Sequence, residues 1–188
     1  MLLFSGAIAA GAQVVSTATG RQVSITAGGM ASMFQPDFIG NFAYQPPCGW
    51  CYPVAQASTQ PLFGVGAYVD VKLTRWVQIE AEGRWLRWNQ FQGIYQDNYL
   101  IGPRVPVYHF WKATVYGKAL GGFAKMQFVP EGGAVNFTDL AFGGGVDVKL
   151  TKRISLRAAD VEYQYYPSWG NSTLSPYGAS VGIGYKIF

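Results

Sequence analysis

Residues 143–156, GGGVDVKLTKRISL, alternate in character with a period of two. Phe142, Gly144, Val146, Val148 and Leu150 fall on one face of an extended chain. Asp147 and Lys149 fall on the other, with Gly143 and Gly145. That period marks a strand with two unlike faces. Thr151, Lys152 and Arg153 break the pattern, and Ile154 and Leu156 resume it, which reads as strand, tight turn, strand. The same text occurs earlier: VDVKLTR at residues 69–75 matches VDVKLTK at 146–152, with Asp147 following Asp70 by 77 residues. The chain therefore carries two similar hairpins, each with an apolar face and a charged face.

Two architectures accommodate such hairpins. A soluble barrel or sandwich buries the apolar face and shows the charged face to water. A membrane barrel does the reverse, with lipid outside and a polar interior. Composition favours the second. Charged residues make up only 13% of the 188 residues, aromatics reach 16%, and there are 24 glycines. A soluble surface usually carries about 25–35% charged residues. No run approaches the ~18 consecutive apolar residues of a membrane helix, which leaves strands of ~9–11 residues as the way across a bilayer. The net charge of +4 is scattered along strands rather than clustered among stacking aromatics, so a nucleic-acid partner is not expected.

Residues 1–12, MLLFSGAIAAGA, read as a signal-peptide remnant or a disordered arm, and 13–188 as one barrel domain. Eight strands are predicted, near residues 21–31, 62–73, 76–88, 98–105, 112–128, 138–150, 154–166 and 175–188. Pro103 marks a bulge or an irregular end of the fourth, because proline cannot donate to a ladder. In the seventh, the polar residues change phase between Arg157 and Asp160. A bulge at Ala158-Ala159 restores a single polar face. Connections after strands one, three, five and seven are long and the others short, as in outer-membrane barrels with long external loops. The fold class expected is all-β: an eight-stranded antiparallel up-and-down transmembrane barrel with a polar, plugged interior.

The closing GASVGIGYKIF resembles the C-terminal signal of bacterial outer-membrane barrels, which ends in an aromatic residue and is read by the barrel-assembly machinery. The chain from about residue 20 resembles the small eight-stranded barrels related to the transmembrane domain of outer-membrane protein A. GPR at 102–104 and GGGVDVKLTKRISLR at 143–157 resemble acidobacterial-type members. The resemblance implies an outer-membrane location, Tyr185 and Phe188 as the assembly signal, and the assembly machinery as a partner during biogenesis. In the family the aromatic alternation ends in phase with the last residue, whereas Phe188 lies one step out of phase with Tyr185 and Ile187. The tethering role of longer relatives is not carried over.

The predicted interior holds Asp70, Glu80, Glu82, Arg84, Arg104, Lys118, Asp147, Arg157, Asp160 and Glu162, with Lys72, Lys149 and Lys186 on the same face. A barrel of eight strands is just wide enough for side chains to fill it. Buried charges persist only when paired, so the expected interior is an ion-pair plug and not a pore. Aromatic girdles are expected from Trp76, Phe110, Trp111, Tyr185 and Phe188 at the short-turn end. Phe63, Trp85, Trp88, Tyr165, Tyr166 and Tyr177 would form the other girdle. Arg21, Lys72, Arg75, Lys112, Lys149, Lys152, Arg153 and Lys186 gather at the short-turn end, where they either meet anionic headgroups or are simply solvated. The long loops carry only Asp37, Asp97 and Glu131.

Cys48 and Cys51 form the only cysteine pair, in the longest loop, and in an exported protein they favour a disulfide. The loop offers no helix N-terminus to activate a thiolate and no second ligand pair for zinc. Tyr52 stands where haem attachment needs histidine. His109, the sole histidine, falls in a predicted turn and reads as a girdle or turn residue. Glu80 and Glu82 read as salt-bridged residues beside Arg84 and Lys118, not as an acid–base pair. Asn136 and Asn171 match glycosylation acceptors by pattern only, which carries no weight in a bacterial barrel. No catalytic residue, metal or cofactor is predicted, and a monomer is expected. The function expected is a structural or surface-interaction barrel with outer-membrane lipids around it and an unknown ligand or protein at its loops. A low-conductance porin and a soluble lipocalin-like carrier are the alternatives.

Overall fold

The computed structural model describes residues 23–36, 61–89, 95–127, 134–169 and 172–187. Residues 1–12, Arg21, Asp37, Cys48, Cys51, Glu131 and Phe188 lie outside that set. The strands are β1 (Ser24–Gln35), β2 (Leu62–Lys72), β3 (Gln78–Leu86), β4 (Tyr95–Phe110), β5 (Ala113–Gln127), β6 (Val135–Lys149), β7 (Ile154–Trp169), β8 (Ser172–Leu174) and β9 (Tyr177–Lys186). Every pairing is antiparallel, and each long strand pairs with its sequence neighbour. The β1–β9 ladder, from Thr26↔Lys186 to Gln35↔Tyr177, closes the sheet on itself. The result is an eight-stranded up-and-down barrel, with β8 a short addition to the end of β7.

The two copies of the repeat become β2–β3 and β6–β7, which stand opposite each other in the ring. Their turns are built alike. Leu73 N and Thr74 N both donate to Val77 O (3.2 and 3.1 Å), and Leu150 N and Thr151 N both donate to Ile154 O (3.0 Å each). Thr74 Oγ1 accepts from Trp76 N and Val77 N (3.2 and 3.0 Å). Thr151 Oγ1 accepts from Arg153 N and Ile154 N (3.2 and 2.9 Å). A hydroxyl two or three residues ahead of free amides captures donors that the ladder cannot reach.

Alternation places the apolar face outside. Val107 is 70% exposed and Ile183 59%, while Arg84 and Arg157 are fully buried. Such an exterior excludes a lipocalin-like carrier, which needs the opposite polarity. The ladders between β7 and its neighbours shift at Ala158, between Arg157 and Asp160 on the β9 side. Ala158 and Ala159 are both exposed while Arg157 and Asp160 are both buried. The bulge returns the polar residues to one face, as the phase change in the sequence requires.

β4 departs from expectation. It runs to Phe110 rather than ending near Val105, and Pro103 is not a bulge: it pairs with Ile79 in regular register. On the β5 side, pairing stops at Ile101↔Gly121 and resumes at Arg104↔Lys118 without a shift, so the missing proline N–H costs ladder bonds but no register. The irregularity falls between Pro106 and Tyr108 instead. His109 therefore lies within β4, opposite Thr114, and not in a turn. The turn is Trp111-Lys112, with Trp111 in the left-handed region (φ 51°).

Candidate functional site in the barrel interior

The inward residues form successive layers. At the end away from the tight turns, Phe34, Leu62 and Leu86 make one apolar cluster, and Ala124, Met126, Phe137, Tyr166 and Leu174 another. Tyr166 thus sits inside the barrel rather than in an outer girdle, because the alternation that buries Glu162 and Gln164 carries on to it. Asp97 is likewise a buried strand residue, not a loop charge. Its Oδ1 accepts from Arg87 Nε at 2.8 Å.

Below the apolar cap lies a layer of amides. Gln96 Nε2 donates to Asn98, Gln164 and Tyr166 oxygens at 2.9, 2.9 and 2.8 Å. Asn98 Nδ2 donates to Asp139 Oδ2 at 2.6 Å, and the Tyr166 hydroxyl to Gln164 at 2.7 Å. Gln164 in turn donates to Glu162 at 2.8 Å, which joins this layer to the charges beneath.

The structure brings all ten of the charged residues named from the sequence together. Arg84 holds Glu162 through two parallel bonds of 2.6 and 2.9 Å, and Glu82 at 2.9 Å. Bidentate pairing of this kind is the strong form of the contact. Lys118 Nζ lies 3.3 Å from Glu80, 3.1 Å from Glu82, 2.8 Å from Asp160 and 3.0 Å from Glu162. Arg157 reaches Glu80 through both terminal nitrogens (2.9 and 3.1 Å), Asp70 at 3.2 Å and Asp160 at 3.3 Å. Arg104 bonds Asp70 at 2.5 Å and also contacts Asp147. Glu80, Glu82 and Asp160 have oxygens within 4.8 Å of one another, as a metal site would. The Lys118 ammonium already fills that position, so the cluster is chemically a lysine site.

Two tyrosines complete the packing. Tyr68 lies under Arg157 (3.6 Å to the ring centroid) and Tyr116 under Arg104 (3.5 Å). They fit because the facing positions lack side chains. A Cβ on Gly28 would lie 2.5 Å from the Tyr68 ring, and one on Gly145 2.6 Å from the Tyr116 hydroxyl. Lys72, Lys149 and Lys186 share the inward phase but are exposed at the short-turn mouth. They stand outside the network, which holds four cations against six carboxylates. The apolar cap, the amide layer and both tyrosines were missed by a reading based on charge. Their signal was their phase, shared with Asp70, Glu162 and Lys118.

The girdle residues Trp76, Phe110, Trp111 and Tyr185 are exposed on the outer wall at the short-turn end, and Phe63, Trp88 and Tyr177 at the other. Trp85 is half-buried, donating from its indole N–H to Tyr99 at 3.0 Å. Tyr185 accepts from Arg153 at 3.0 Å. His109 Nδ1 is 2.9 Å from Thr114 Oγ1.

The closed barrel is similar to Neisserial surface protein A, at 10% identity and a TM-score of 0.56 over 86% of this chain and 96% of that one. It is also similar to OprG of Pseudomonas aeruginosa, at 11% identity and a TM-score of 0.53 over 88% and 95% of the two chains. The N-terminal β-barrel domain of Pseudomonas aeruginosa OprF matches at 12% identity and a TM-score of 0.51, over 88% and 100%. No curated protein sequence gives a significant match. The model of the outer membrane protein beta-barrel domain family matches residues 1–186. The chain belongs to that family, and its place is the bacterial outer membrane, with lipid against its apolar wall.

Proposed function

We propose that the protein is a sealed structural barrel of the outer membrane that meets its partners through the connections at its loop end. In this reading it neither conducts ions nor catalyses a reaction. The observation that carries the reading is the filled cross-section. Arg84, Lys118 and Arg157 extend from different strands into one shared set of carboxylates, beneath a cap of apolar side chains. An eight-stranded barrel leaves no room for a water column beside such a layer. Glu80 and Glu82 are each bonded to cations, which suits structural pairing rather than proton transfer. Planar-bilayer recording of the refolded protein tests the proposal. Insertion without steady unitary current steps is expected; steady steps would replace it with the low-conductance porin reading.

A further inference from the structure

Among the described residues, the basic side chains of the short-turn end divide into two groups. Arg75 and Lys112 belong to the outer wall, where Arg75 stacks on Trp76 (4.7 Å) and Lys112 on Trp111 (5.0 Å). Lys72, Lys149 and Lys186 instead lie on the inward phase of β2, β6 and β9. With Lys152 and Arg153 from the β6–β7 turn they line a cavity of about 380 Å³ at the mouth. Ser24, Thr26, Thr114 and Ser155 add hydroxyls to its walls, and His109 an imidazole. Its floor is Arg104 with Asp70 and Asp147.

The floor acids are already engaged. Asp70 is held by Arg104 and Arg157, and Asp147 is bound by Arg104. Among the described residues, no carboxylate forms a salt bridge with Lys72, Lys149, Lys152 or Lys186. Several cations therefore surround one solvent-open recess without a paired anion. Cations outnumber carboxylates in the lining by six to two, and a recess with low-dielectric walls and an excess of one sign of charge concentrates the opposite ion. Ammonium groups on flexible stems, interspersed with hydroxyl donors, suit a multivalent oxyanion that keeps part of its hydration.

We propose that this mouth binds a phosphate-class oxyanion from the short-turn side of the membrane, either free or as a lipid headgroup. The competing role for these lysines is to offset, from a distance, the two-charge acidic excess of the network above them. The probe is inorganic pyrophosphate, titrated calorimetrically into the full chain refolded in phosphatidylcholine vesicles. Saturable binding is expected. It should weaken at least about tenfold in Lys72→Gln/Lys149→Gln/Lys186→Gln and stay unchanged in Arg75→Gln/Lys112→Gln. Heat-modifiable gel migration verifies that both variants are folded.

A second titration, in vesicles containing phosphatidylglycerol, separates the two sources. Weaker pyrophosphate binding there identifies the headgroup as the ligand, and unchanged binding identifies a free anion. Equal binding by the wild type and the triple variant would overturn the proposal. So would pyrophosphate binding no tighter than chloride at matched ionic strength. A triple variant that loses stability while the wild type binds no pyrophosphate would assign the lysines to the network alone.

Discussion

Lys118→Met is the sharpest test of the interior. Methionine keeps the length and volume of the lysine stem, so the change removes charge without opening a cavity. The Lys118 ammonium touches Glu80, Glu82, Asp160 and Glu162 at 2.8–3.3 Å. Removing one partner of a buried pair costs about 3–5 kcal/mol, because the other charge stays buried. Here four carboxylates lose a shared cation, and the network falls from four cations against six acids to three. With a urea slope of about 3 kcal/mol/M, the expected loss moves the unfolding midpoint down by about 1–2 M. The assay is urea unfolding of the barrel in lipid vesicles, read by tryptophan fluorescence. Lys152→Met, in the exposed turn, is the control and should stay within about 0.5 kcal/mol of wild type. Adding Glu82→Gln to Lys118→Met should recover about 0.5–3 kcal/mol, the range of coupling between residues in contact. A Lys118→Met midpoint indistinguishable from the Lys152→Met control would refute the reasoning.

The two turn threonines should behave as equivalents. Thr74→Ala and Thr151→Ala each remove a hydroxyl that accepts two backbone bonds, costing about 0.5–1.5 kcal/mol per bond; urea unfolding of the singles and the double should show additive losses, since the turns are far apart. The swap Glu80→Arg/Arg157→Glu keeps the pair but should not rescue either single change. The arginine introduced at position 80 would face Lys118 and Arg104, and the glutamate introduced at position 157 would face Asp70, Asp147 and Asp160. A double variant as stable as wild type in urea would show that these neighbours do not set the pair's polarity.

Strand alternation made the wall legible. Each of β1, β2, β3, β5 and β6 keeps one phase throughout, and in β7 the alanine pair announced its own bulge through the polar residues on either side. β4 was harder because prolines at 103 and 106 obscure the pattern: one sits quietly in register, and the other borders a bulge with no polar phase change to advertise it. The charged interior was legible because charge inside a membrane barrel has only one place to go. The apolar cap was not, since Leu62 or Met126 looks the same in sequence as a residue facing lipid. Tyr166 shows that the distinction was nevertheless available, two steps along from Gln164 on the same face. Sequence phase alone groups Lys72, Lys149 and Lys186 with the network, as seven cations against six carboxylates; the structure separates them by depth, because the last inward position of β2, β6 and β9 is already in water.

That separation gives the interior a direction. From the loop end inward the order is apolar cap, amides, ion pairs, arginine–tyrosine stacks and an open lysine mouth. Water reaches the last of these: the Asp147 side chain keeps 23% of its exposure, whereas that of Glu162 keeps 1%. Electrostatic attraction is strong where water is excluded and weak where it enters. The deep pairs are therefore placed to hold the barrel together, and the mouth cations to exchange partners. The repeat supports this division. Positions 77 residues apart carry aspartate in both hairpins at 70 and 147, but glutamate at 80 against arginine at 157. Placed opposite each other in the ring, the two copies meet at this position with opposite charge, as Arg157 bonds Glu80 through both of its terminal nitrogens, and they meet again through Arg84–Glu162 and Arg157–Asp70. Glutamate or arginine at both positions would have met there as like charges, so the opposite signs at 80 and 157 let this buried pair form between two otherwise similar hairpins.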